Sequence, residues 1–143
     1  MWKKMQKTTY EDNKYSMQDT GYLYVGTKYT LGEILDEDEM MFKFRLIVER
    51  YILPEADAED TLETLLYYLK PESFMVKIFK QLKAKIKVNL IEEKKNLFGK
   101  TSKRYETRQL TIEQLVAMTP EEKQEKGVVV QELRMSKLAL MAF

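Results

Sequence analysis

The sequence predicts an α+β fold: a helical N-terminal half packed on a small, mostly antiparallel sheet that contains a long basic β-hairpin. Three observations predict it. Apolar residues recur three and four apart between Met40 and Leu82, the spacing of one helix face. On either side of Gly99 the period drops to two, the signature of strands that alternate between faces. Charge is partitioned along the chain. Residues 33–69 hold three Lys/Arg against eleven Asp/Glu, whereas residues 70–108 hold twelve against four, although the whole chain nets only +1.

The length of 143 residues fits one domain. Residues 1–20 are polar and aperiodic and read as a flexible N-terminal arm, with Trp2 as an anchor. Residues 21–143 read as a single α+β domain. Apolar content of 44% with 33% charged residues is globular rather than disordered. The chain has no cysteine, which removes disulfides and thiolate metal sites, and no histidine, which removes the commonest general base and metal ligand. The start, Met1-Trp2-Lys3-Lys4-Met5-Gln6-Lys7, is basic, but no apolar core of a signal peptide follows and no apolar run reaches membrane length. The expectation is a cytoplasmic protein with no membrane partner, no cofactor and no enzymatic activity.

The elements follow in order. Tyr22-Leu23-Tyr24-Val25, between Gly21 and Gly26, predicts a short strand. Thr30 and Glu33 have capping-box spacing, so a short helix through Leu35 is expected, with Thr30 accepting from the third amide. Asp36-Glu37-Asp38-Glu39 then opens a helix whose buried face is Met40, Phe44, Ile47, Val48 and Tyr51 and which Pro54 stops. A second helix is expected from about Asp57 to Leu69. A third follows Pro71 with Phe74, Ile78, Phe79 and Leu82 as its stripe. Ile86, Val88 and Leu90 alternate with Lys85, Lys87 and Asn89 in a half-buried strand. Asn96 to Lys100 is a loop turning at Gly99, and residues 104–109 form the partner strand. Thr111 caps a helix through Ala117. Thr119-Pro120-Glu121-Glu122 opens another, which Gly127 closes, and a last strand runs from Val128 to about Met135.

The hairpin is the leading functional candidate. If the apolar residues of both strands face the core, Lys83, Lys85 and Lys87 share an outer face with Arg104 and Arg108. Lys94, Lys95, Lys100 and Lys103 carry the charge to the tip, where Phe98 and Tyr105 are the available aromatics. Cations that follow a phosphate backbone, interleaved with rings that stack on bases, make a nucleic-acid-binding element. The plainer reading is an edge strand guarded by lysine against aggregation. Lysine outnumbers arginine, which favours nonspecific attraction over bidentate base readout.

Other features point to a protein partner or to nothing beyond the fold. The acidic stretch around Asp57, Glu59 and Asp60 is a candidate partner-binding surface, though acids at helix starts are routine. The tail Leu138-Ala139-Leu140-Met141-Ala142-Phe143 is apolar to the last residue and either packs on the core or docks on a partner or a second copy. Glu92-Glu93-Lys94 has the spacing of some magnesium nucleases, but it needs a further acid such as Asp60 and is common by chance in a chain this rich in lysine and glutamate. Gly99-Lys100-Thr101 ends like a phosphate loop, yet position 94, where that motif needs glycine, is Lys94. The function expected is thus a small non-enzymatic binding protein contacting nucleic acid or a nucleoprotein through the hairpin. The alternative is a protein–protein module, an assembly factor or inhibitor of phage or mobile-element type, that uses the acidic helices or the tail.

Overall fold

The computed structural model describes residues 21–34 and 38–143; the N-terminal arm, Leu35, Asp36 and Glu37 lie outside the described residues. Four strands form one antiparallel sheet: β1 (Tyr22–Gly26), β2 (Lys85–Lys95), β3 (Thr101–Thr111) and β4 (Val129–Ser136), in the order β1-β4-β2-β3. Among the described residues six α-helices accompany them: α1 (Glu39–Ile47), α2 (Leu62–Tyr67), α3 (Phe74–Gln81), α4 (Ile112–Ala117), α5 (Pro120–Glu125) and α6 (Lys137–Ala142). An α-helical N-terminal region packs against a mostly C-terminal antiparallel sheet, as the residue patterns predict, and β1 joins that sheet from the N-terminal side.

The core lies between one sheet face and the helices. Leu23, Val25, Ile86, Val88, Leu133 and Met135 come from alternate strand positions, and Phe44, Ile52, Leu66, Phe79 and Leu115 meet them from the helical layer. Each of these is buried, so alternation in the strands and three-to-four spacing in the helices converge on one apolar volume.

Capping explains most element starts. Asp38 accepts from the Met41 amide at 2.9 Å and opens α1. Thr111 with Gln114 and Thr119 with Glu122 form complete capping boxes for α4 and α5, and Gly127 ends the second of these at a φ of 62°. Ser136 accepts from the Ala139 amide at 3.2 Å, which turns the end of β4 into α6.

The helical half departs from the sequence reading in four places. Thr30 caps no amide; its hydroxyl bonds the Glu33 carboxylate instead, and the element is a single 3-10 turn, Leu31–Glu33. After Ile47 the helix widens into a π turn, Val48–Ile52, where the Leu53 amide reaches back to the Val48 carbonyl. Pro54 has no amide to continue an α pattern, and a 3-10 turn, Leu53–Glu55, finishes the segment. The second helix begins at Leu62 rather than Asp57. Residues 57–60 form a turn, in which Asp57 accepts from the Glu59 amide at 2.9 Å, and the Asp60 and Ala58 carbonyls bond the amides of Leu31 and Gly32. Thr61 then caps α2 by accepting from Thr64. In α3 the buried side chains are Met75, Val76, Ile78 and Phe79, while Phe74 sits on the rim.

Candidate functional site

The hairpin is two structures in one. Its first half belongs to the body of the sheet, where Lys85 to Asn89 pair with β3 on one side and β4 on the other. The pairing with β4 is kinked by a bulge between Lys87 and Val88, and the β4 chain then leaves: the Ile91 amide bonds the Lys126 carbonyl at 2.7 Å, the last contact of that kind. Beyond Ile91, among the described residues, the two strands pair only with each other. They form a ribbon of about 13 Å at ~3.3 Å per residue, with the loop added.

Register overturns the expected shared face. Lys95 pairs with Thr101, so Val88 stands opposite Arg108, Leu90 opposite Glu106 and Glu92 opposite Arg104. Directly opposed residues share a face, so Arg104 and Arg108 lie on the side of Ile86, Val88 and Leu90, the core side, whereas Lys85 and Lys87 lie on the other. A five-residue loop sets this parity, and a slip of one residue would have produced the expected arrangement. Lys83 is on neither face. It precedes β2, in the turn that closes α3, at a φ of 55°.

The even-numbered face of the arm is a ladder of alternating charge. Arg108 donates to Glu92 at 2.5 Å, and Lys94 meets Glu106 at 3.2 Å. The Glu106 carboxyl is held below the ordinary glutamate value, first by the hydrogen bond from Lys94 and then by its charge, with lesser help from the charges of Arg108 and Arg104 and against an opposing effect of burial that exceeds either arginine's. On the odd-numbered face Lys103 approaches Glu93 at 3.9 Å, and Ile91 pairs with Tyr105. Among the described residues every ion pair of the hairpin closes within the hairpin, so the acidic stretch 55–63 does not neutralise it. Lys85, Lys87, Lys95, Lys100 and Arg104 form no ion pair among the described residues.

The tip is built rather than loose. The Asn96 side chain accepts from the amides of Phe98 and Lys100, both at 2.9 Å, and its own amide bonds the Lys100 carbonyl at 2.8 Å. Gly99 completes the turn at a φ of 78°, which glycine adopts without strain. This frame presents Leu97 at 100% and Phe98 at 88% exposure. No motif or periodicity in the sequence singles out Leu97 as a contact residue; only the loop geometry exposes it. Burying either side chain against a partner is worth about 1.5–3 kcal/mol, and the fold itself gains none of it.

The remaining candidates separate. Glu92 and Glu93 point to opposite faces of β2, and Glu92 is committed to Arg108, so the nuclease-like spacing reduces to strand-end charge pairs. Among the described residues no group of three or more acidic side chains is arranged to hold a metal ion. Asp57 spends a carboxylate oxygen on its own turn, and Glu59 and Asp60 lie in that turn. In the tail, Leu140 is buried and Phe143 meets the Tyr51 ring edge-on at 5.3 Å, while Leu138 and Met141 stay exposed. Among the described residues no helix is long and apolar enough to cross a membrane. Comparison of the chain with family models, with curated proteins and with solved structures finds no match.

Proposed function

We propose that this chain is a small non-enzymatic protein that binds nucleic acid or a nucleoprotein through a basic β-hairpin arm, residues 91–105. One observation carries the reading: an arm with five Lys/Arg and two Glu holds an apolar tip, on a loop hydrogen-bonded through Asn96, out in solvent. A lysine-guarded edge accounts for the cations but gives no reason for Leu97 and Phe98. In the proposed role Lys95, Lys100 and Arg104 contact phosphates, Lys94 and Lys103 join them as their pairs with Glu106 and Glu93 open, and Tyr105 and Phe98 meet bases. Lys85 and Lys87, on the odd-numbered face of the sheet body, extend the field behind the arm. Arg108 steadies the arm through Glu92.

The test is fluorescence anisotropy of labelled oligonucleotides with the full chain across a salt series. Affinity falls steeply with salt if phosphate contacts dominate. Affinity independent of salt, or unchanged by joint replacement of Lys95, Lys100 and Lys103 with Gln, sinks the reading.

A second reading, a protein–protein module, has one observation in its favour. Phe42 and Leu46 on α1 and Leu138 and Met141 on α6 are exposed, and the two helices pack together. A stoichiometric protein that co-purifies through nuclease and high salt, and is lost with Leu138→Asp and Met141→Asp, would favour it. Reversal of Asp57, Glu59 and Asp60 tests whether the acidic turn contributes.

A further inference from the structure

We infer that the ligand of the arm is duplex DNA, and that Leu97 and Phe98 enter its minor groove as a wedge that opens one base step and kinks the helix. The inference rests on the nucleic-acid reading above and adds the strandedness of the ligand and the geometry of contact.

Three features lead there. The first is the split of charge between faces. Beyond Ile91 each face keeps a cation with no ion pair among the described residues, Lys95 on the odd-numbered face and Arg104 on the even-numbered one, beside Lys103 and Lys94, which pair with Glu93 and Glu106. A single strand offers one backbone, and cations on one face suffice to follow it. A groove is walled by two backbones, and a ribbon lying between them needs cations on both faces.

The second is where the apolar groups stand. Bases of a single strand stack on rings spread along a surface. Here the two most exposed large apolar side chains among the described residues sit side by side at the end of the ribbon, Leu97 and Phe98, with Lys95 before them and Lys100 after. Leucine and phenylalanine are among the side chains that part stacked base pairs. The flanking cations reach phosphates on either side of the opened step.

The third is rigidity. The bonds from Asn96 fix the loop backbone, so the tip keeps its shape when pushed against a stack. A tip that inserted into a lipid surface would have its cations gathered at one level around it. Here they run down the length of both faces.

The experiment uses the full chain and a short duplex with one central TA step, labelled at both ends for energy transfer. The same sequence as a single strand, and vesicles of phosphatidylcholine with phosphatidylserine, are the comparison ligands. The duplex should bend by about 20–90° on binding. Leu97→Ser with Phe98→Ser should abolish the bend and weaken binding about 10- to 100-fold while keeping the salt slope, because the phosphate contacts remain. Both positions are exposed, and circular dichroism checks that the fold is kept. A duplex bound without bending, or bent equally by the tip variant, overturns the wedge and leaves the nucleic-acid reading standing. Tighter binding to the single strand overturns the duplex assignment alone. Binding to vesicles with no affinity for either nucleic acid overturns both.

Discussion

Arg108 stands opposite Val88 across the hairpin, and its guanidinium reaches four residues outward along β2 to close on the Glu92 carboxylate at 2.5 Å. The pair marks the boundary where buried apolar residues give way to a ladder of charge. It also separates two kinds of cation in the hairpin: those already paired inside it, and those with no ion pair among the described residues, such as Lys100.

That separation gives the first prediction. Arg108→Ala should cost about 0.2–1 kcal/mol of stability, as half-exposed pairs do, and leave the salt dependence of nucleic-acid binding nearly unchanged. Lys100→Ala should do the reverse, with no measurable loss of stability and a salt slope smaller by about one. Chemical unfolding and salt-dependent anisotropy on the two variants check this. Equal effects on the slope would show that the ion pair opens on binding.

Glu106 gives the second. Its depressed pKa stabilises the folded arm fully at neutral pH, and that contribution is lost only as pH falls through the depressed midpoint, below the ordinary glutamate value. Carboxyl chemical shifts followed by NMR should place the Glu106 midpoint under that of an exposed glutamate. Lys94→Gln should move it back up, because the hydrogen bond and charge of Lys94 are its main causes.

The body of this fold is legible in the residue pattern, and the details of the candidate site much less so. Ile86, Val88 and Leu90 identify β2 because each is apolar between polar neighbours. In β3 the outward half offers no such contrast: Tyr105, Thr107 and Gln109 and their neighbours Arg104, Glu106 and Arg108 are all compatible with solvent on either face. Parity there is set by loop length and by the bonds of Asn96, which periodicity does not report. The late start of α2 has a similar origin. Asp57 to Asp60 suit a helix N-terminus, but the Asp60 and Ala58 carbonyls are taken by the amides of Leu31 and Gly32, a contact nearly thirty residues away in the chain.

Lys123 gives the third prediction. It is buried, and its ammonium donates to the Tyr67 carbonyl at 2.6 Å, tying α5 to the C-terminal end of α2. Lys123→Ala should cost about 2 kcal/mol or more through a cavity and an unpaired carbonyl. Burial lowers the Lys123 pKa, so the unfolded chain holds this proton more tightly than the folded one. Stability should therefore rise with pH through the alkaline window that ends at the ordinary lysine value. In denaturant titrations the wild type should gain on Lys123→Met as pH rises through that window. A constant gap would mean that the amine keeps its full charge in the fold.

Lys83 gives the fourth. It holds the left-handed position that ends α3, where the Ala84 amide bonds the Phe79 carbonyl at 3.0 Å. A non-glycine residue there costs about 1–2 kcal/mol, and glycine gives back about 0.5–1 in chain entropy. Lys83→Gly should thus raise the unfolding free energy by about 0.5–1 kcal/mol. Because Lys83 stands off the arm, the substitution should leave the salt slope of binding as it was; a reduced slope would place Lys83 in the interface after all.

The eleven residues of β2 run without interruption from the middle of the sheet to the base of the tip loop. Such a strand works as a lever with its fulcrum near Ile91, where the β4 chain departs. Amide hydrogens on the two sides of that fulcrum should exchange with solvent on very different timescales, slowly at Ile86 and fast at Lys94, within one continuous ladder. On the nucleic-acid reading, a ligand seated on Phe98 should therefore slow the exchange of core amides such as that of Val88, which it does not touch but which the same unbroken strand carries.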